Sequence, residues 1–112
     1  MERRDLERSK RRLMVRFGVD GPDKMAFTKN LSITGLCIQT NSVLPPGKVI
    51  HVELKFPDRT FKLRARVVWA KRVPPQLAFT LPGGMGIHFL DPGPEWDEYY
   101  ERFKGSSPAK AR

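Results

Sequence analysis

The stretch KVIHVELKFPDRTFKLRARVVWA, Lys48 to Ala70, alternates apolar and polar residues on both sides of one turn. In its first half Ile50, Val52, Leu54 and Phe56 fall on one face, and Val49, His51, Glu53 and Lys55 on the other. In its second half Phe61, Leu63, Ala65, Val67 and Trp69 alternate with Lys62, Arg64, Arg66 and Val68. A period of two is that of a strand with one buried and one wet face. PDRT, Pro57 to Thr60, makes the hairpin loop between them. PPG, Pro45 to Gly47, turns the chain into this hairpin. Trp69 closes the second strand and is assigned to the core with its inner face.

Upstream, LMVRF at Leu13 to Phe17 is a short strand, and the Gly, Pro and Asp of Gly18 to Lys24 make a loop. A strand from Met25 to Asn30 leads into KNLSITGLCIQT, Lys29 to Thr40. Downstream, Val73 to Gly84 is a longer loop with its own apolar residues, placed over an edge or an interface. A last strand follows at Met85 to Leu90, with Met85, Ile87 and Phe89 on one face. After Pro94 the period changes: Trp96, Tyr99, Tyr100 and Phe103 recur at i, i+3, i+4 and i+7, one stripe of a helix. Pro94 suits the first helical turn, Glu95, Asp97 and Glu98 suit the N-terminal half, and Gly105 is a stop. These elements predict a mainly β chain, a small six-stranded antiparallel β-barrel with one C-terminal amphipathic α-helix covering or plugging an end. The domain plan is a flexible basic arm over 1–12, the barrel and helix over 13–104, and a disordered tail over 105–112.

The 112 residues suit a single domain, and seven Phe, two Trp and two Tyr supply a modest core. No apolar run approaches the roughly 20 residues a bilayer span needs, and no secretory leader is visible. Cys37 is the only cysteine, which excludes an internal disulfide framework and points to a reducing cytoplasm. Between Leu36 and Ile38 it reads as strand packing. Twenty-one Lys and Arg against 12 Asp and Glu give a net charge of +9, which favours an anionic partner. Seven of these cations (Arg3, Arg4, Arg8, Lys10, Arg11, Arg12 and Arg16) crowd into the first 16 residues against three acids.

Within Lys29 to Thr40, strand alternation puts Leu31 and Ile33 into the core and sets Asn30 and Ser32 side by side on the outer surface. Gly35 supplies either a positive φ or room for another group to approach the backbone. The result is a shallow polar shelf beside a bulge or turn. Asn offers donors and an acceptor, and Ser a hydroxyl.

An arginine-rich arm, then Asn30-Leu31-Ser32-Ile33-Thr34-Gly35 as (D/N)-x-S-x-x-G, then VVW at Val67 to Trp69 and MGIHF at Met85 to Phe89, resembles the PilZ domain, a bacterial receptor module for cyclic di-GMP. The resemblance runs from Arg3 to Phe103. The family's R-x-x-x-R is met twice, by Arg4 and Arg8 and by Arg8 and Arg12. Arg3, Arg4 and Arg8 followed by Val15 match the family's spacing, so Arg4 and Arg8 are preferred; Asp5 and Glu7 inside that motif depart from it.

The resemblance implies a bacterial, cytoplasmic, non-enzymatic receptor or adaptor that binds cyclic di-GMP through Arg4, Arg8, Asn30, Ser32 and Gly35, with Arg3 and Arg12 as further candidates. Arginine can fork onto phosphate or onto guanine O6 and N7 and can stack on a base, a combination lysine lacks. Ligand would order the arm against the barrel and so signal to a protein effector, or to a second copy in a homodimer. No catalytic residue, metal site or cofactor is expected. His51 and His88 are surface or rim residues without converging ligands, and no G-x-S-x-G, H-E-x-x-H or Walker pattern occurs. Two rivals stand beside this reading. One is a nucleic-acid-binding barrel, favoured by the cations of Thr60 to Lys71 but short of outward stacking aromatics. The other is a PilZ-like adaptor that works through proteins alone.

Overall fold

The computed structural model describes residues 12–77 and 80–105. The arm with Arg3, Arg4 and Arg8, and the tail beyond Gly105, lie outside the described residues. Six strands, β1 (Met14–Gly18), β2 (Lys24–Leu31), β3 (Gly35–Gln39), β4 (Val49–Lys55), β5 (Thr60–Lys71) and β6 (Gly84–Leu90), precede one helix, α1 (Pro94–Gly105). The strands close into a barrel in the order β1-β2-β3-β6-β5-β4, with every neighbouring pair antiparallel. The mainly β barrel with a C-terminal helix expected from the sequence is the fold observed.

The β4–β5 hairpin follows its alternation closely. Its register runs from Val49 opposite Arg66 to Lys55 opposite Thr60, and the Phe56 N–H closes the loop on the Arg59 carbonyl at 2.8 Å. Ile50, Val52, Leu54, Phe61, Leu63, Ala65 and Val67 are all buried, while the polar partners face solvent or lie half-buried. Each such burial contributes roughly 1.5–3 kcal/mol for a large side chain, which is what fixes the register against a one-residue slip.

β2, β4 and β6 finish at the same end of the barrel, and α1 closes it. Trp96 is fully buried and meets Phe61 and Phe89 edge-on, at ring centroid distances of 5.2 and 5.3 Å. Phe56 packs edge-on to Tyr99 and Phe103, each at 4.8 Å. Edge-to-face aromatic pairs contribute about 0.5–1.5 kcal/mol each beyond area burial. The stripe spaced at i, i+3, i+4 and i+7 is therefore the plug.

The turn between β4 and β5 is tied to this helix by polar contacts as well. The Tyr99 hydroxyl donates to Asp58 Oδ1 at 2.5 Å, and the Arg59 guanidinium lies 4.1 Å over the Phe61 ring. Burial, and then the carboxylate of Asp58, push the Tyr99 phenol up to about 12 from its ordinary 10.0. A folded-state value above the unfolded one stabilises fully below pH 10 and is lost as pH rises towards 12. Urea denaturation across that window should show the wild type losing stability more steeply than Tyr99→Phe. Parallel pH profiles for the two proteins would refute this.

One expected core residue is placed differently. Trp69 is 45% exposed, because the β5–β6 register shifts between Val67 and Trp69. Val68 is the extra residue of this bulge and turns the following side chains to the opposite face. Val73 is buried, but Leu77 and Leu81 of the loop before β6 are exposed, and the loop contains a 3-10 turn at Pro75–Leu77.

Candidate functional site on the outer face of β2, β3, β6 and β5

The motif residues do not lie along one strand. β2 ends at Leu31 and β3 begins at Gly35, so Ser32 to Gly35 is the tight turn of a hairpin. The β2–β3 register also shifts between Thr28 and Asn30, which makes Lys29 a bulge residue and turns Asn30 outward opposite Cys37. The expected outer pair of Asn30 and Ser32 is therefore corrected: Ser32 is 1% exposed, and Asn30 is half-buried on the outer face. Leu31 is in the core, as expected, and Ile33 is half-buried against it.

Ser32 acts within the turn. Its N–H donates to the Gly35 carbonyl at 2.8 Å, and its hydroxyl donates to the same oxygen at 3.2 Å. The turn's other carbonyls are held by the plug and by β6. Ile33 accepts from Trp96 Nε1 at 2.8 Å, Leu31 from the Tyr100 hydroxyl at 3.3 Å, and Thr34 from the Phe89 N–H at 2.9 Å. Gly35 is required for proximity, since a Cβ there would sit 2.1 Å from the Ile87 carbonyl oxygen. The positive φ offered as the other reason for this glycine occurs instead at Gly47 and Gly93.

Asn30 begins a cross-strand row. By register it faces Cys37 on β3, Cys37 faces Gly86 on β6, and Gly86 faces Trp69 on β5. A Cβ on Gly86 would fall 2.1 Å from Trp69 Nε1, so the indole lies directly over this glycine. The row is a shelf floored by two small residues, with a carboxamide at one end and an exposed indole at the other. Basic groups flank it. Arg66 and His88 lie in the row beginning at Gly35, and Lys71 in the row of Phe27, Gln39 and Gly84. The Arg12 guanidinium stands 4.5 Å over the Phe27 ring. Of the expected binding residues, the structure thus groups Asn30 with Arg12, keeps Ser32 and Gly35 beneath as supports, and leaves Arg3, Arg4 and Arg8 outside the described residues.

Trp69 and the floor residues Cys37 and Gly86 were not among the residues expected at a site. The signal for Trp69 was present: strict alternation from Val67 puts Lys71 inward, which a barrel core does not accept. Among the described residues no group of three His, Cys, Asp or Glu side chains could hold a metal ion, and no helix is long and apolar enough to cross a membrane.

The model of the PilZ domain matches residues 2–103. The chain belongs to the PilZ domain family. PilZ domains are in general cyclic di-GMP receptors and adaptors, binding modules rather than enzymes. No curated protein matches this PilZ chain. Among solved structures it is similar to the Bacillus subtilis inhibitor of motility MotI/DgrA, with a TM-score of 0.80 at 14% identity. That match covers 100% of this chain and 54% of the other. It is also similar to a pathogenic protein of Xanthomonas campestris, described as a new tetrameric PilZ domain self-assembled via an unusual helical bundle. There the TM-score is 0.54 at 18% identity, over 72% of this chain and 43% of the other. At these identities the likeness is one of fold, and this chain spans about half the length of either structure.

The geometry separates two kinds of motif residue by experiment. Gly35→Ala drives a Cβ into backbone and should cost about 3 kcal/mol or prevent folding. Gly21→Ala, with nothing within 4 Å, should stay within about 0.5 kcal/mol of wild type. Ser32→Ala removes one donor from a buried turn and should cost about 1–2 kcal/mol. Chemical denaturation of the three variants checks the order, and an unaffected Gly35→Ala would remove the proximity argument.

Proposed function

We propose that this PilZ domain is a bacterial, cytoplasmic receptor for cyclic di-GMP that passes the signal to a separate partner protein. The observation that carries the reading is the shelf from Asn30 to Trp69, flanked by Arg12, Arg66 and Lys71. Three inter-strand steps make it roughly 14 Å across, wide enough for a flat ligand with two bases. An indole face stacks on a purine, a carboxamide hydrogen-bonds a base edge, and arginines fork onto phosphate or guanine. These are the groups that a cyclic dinucleotide of guanine displays.

Arg12, the last arginine of the second candidate motif, stands on this face over the Phe27 ring. That supports Arg8 and Arg12 as the working pair, in place of the Arg4 and Arg8 preferred from spacing. Ligand would draw the basic arm onto the shelf and so present a new surface to the partner. The exposed Trp69 also supplies one stacking group to the nucleic-acid reading. A platform for successive bases needs several, so that reading ranks second.

Calorimetric titration with cyclic di-GMP tests the proposal, with GTP and a single-stranded oligonucleotide as controls. Saturable binding is expected for cyclic di-GMP alone, with quenching of Trp69 fluorescence. Arg8→Ala, Arg12→Ala and Trp69→Ala should each weaken it at least about tenfold, and Arg4→Ala much less. Absence of heat with cyclic di-GMP would sink the receptor reading. Binding of the oligonucleotide instead would transfer the shelf to nucleic acid.

A further inference from the structure

The wall formed by β1, β4 and β5 carries a charge pattern of another kind. Among the described residues Glu53 is the one acid on any strand, and it sits between Arg16 and Lys62 in one cross-strand row. The next row runs Gly18, His51, Arg64, Leu90. Along it lies a groove of about 330 Å³, floored by His51, Lys62 and Arg64. Pro22 stands at one side, and Leu90, Asp91 and Pro92 at the other. A second groove of about 300 Å³, lined by Arg16, Lys55 and Thr60, adjoins it through Glu53.

The cations call for an anionic occupant, and the details choose its kind. A continuous phosphate backbone laid along these grooves would meet the carboxylates of Glu53 at the centre and Asp91 at the rim, both repulsive. The walls are apolar where Pro22, Leu90 and Pro92 stand, which phosphates do not use. A protein segment with carboxylates separated by apolar residues satisfies both features, its acids on Lys62, Arg64 and Arg16 and its apolar side chains on the groove walls.

We propose that the β1–β4–β5 wall is the docking surface for an acidic, partly apolar segment of a partner protein. The proposal is independent of the nucleotide reading: its grooves and the shelf share strands β5 and β6 but no residue, and Lys62 and Arg64 precede the bulge that exposes Trp69.

The test uses the full chain and a fluorescein-labelled peptide of alternating Glu and Leu pairs, followed by anisotropy and by amide chemical shifts. A short duplex DNA is the competing probe. The peptide should bind at low salt, with shifts confined to Arg16, His51–Lys55, Lys62–Arg64 and Leu90–Asp91. The double variant Lys62→Glu/Arg64→Glu should weaken it at least about tenfold, while Lys29→Glu on β2 changes it less than about twofold. Glu53→Gln, which keeps the shape of the wall, should strengthen duplex binding about threefold or more and peptide binding by less, since the peptide's acids are spaced to either side of Glu53. Peptide binding should persist in Trp69→Ala, which separates this outcome from failure of the nucleotide site. Equal losses in Lys29→Glu and the double variant would reduce the wall to undirected charge. Duplex binding tighter than peptide binding would assign it to nucleic acid, and no peptide binding at all would overturn the proposal.

Discussion

The indole N–H of Trp96 on the carbonyl of Ile33 joins the two halves of this molecule. A residue chosen for packing, fully buried in the helix that closes the barrel, also satisfies a carbonyl in the turn that carries the family motif. Tyr100 does the same one residue before Ser32. Without the helix, the turn would bury carbonyls lacking donors, each costing about 1–3 kcal/mol. Without the turn in place, the helix would have no polar partner for its indole. The turn beside the shelf is therefore held in place by the plug, through the carbonyls of Ile33 and Leu31.

This arrangement changes what the motif means. Asn-x-Ser-x-x-Gly reads as a row of ligand-facing groups, yet only Asn30 faces outward. Ser32 spends its hydrogen bonds on Gly35, and Gly35 lets β6 approach the backbone. A short motif can thus record the construction of a site as much as its contacts.

Much of the fold was legible because the β4–β5 hairpin and the helix obey single periods from end to end. The errors sit where a strand ends early, as β2 does before Ser32, or carries one residue too many. Carried back from Leu31, alternation sends Lys29 into the core; carried forward from Val67, it sends Lys71 there. Both lysines mark the bulges at Lys29 and Val68 that the register shows. The bulge at Val68 decides which side Trp69 faces, so a strict period of two found the Asn30 end of the shelf and missed the indole end. The pairing of Cys37 with Gly86 lay further out of reach, because it depends on β3 and β6 meeting across nearly half the chain.

Closure of the ring has an evolutionary side. With β1 paired to β4, none of the six described strands is an edge strand open along its length to the backbone of another chain. Partners must be told apart by outward side chains alone, and those side chains carry almost none of the architecture. The outer surface can then drift, exchanging one client for another, while inward residues keep the ring shut. A TM-score of 0.80 at 14% identity shows the same ring built with mostly different side chains.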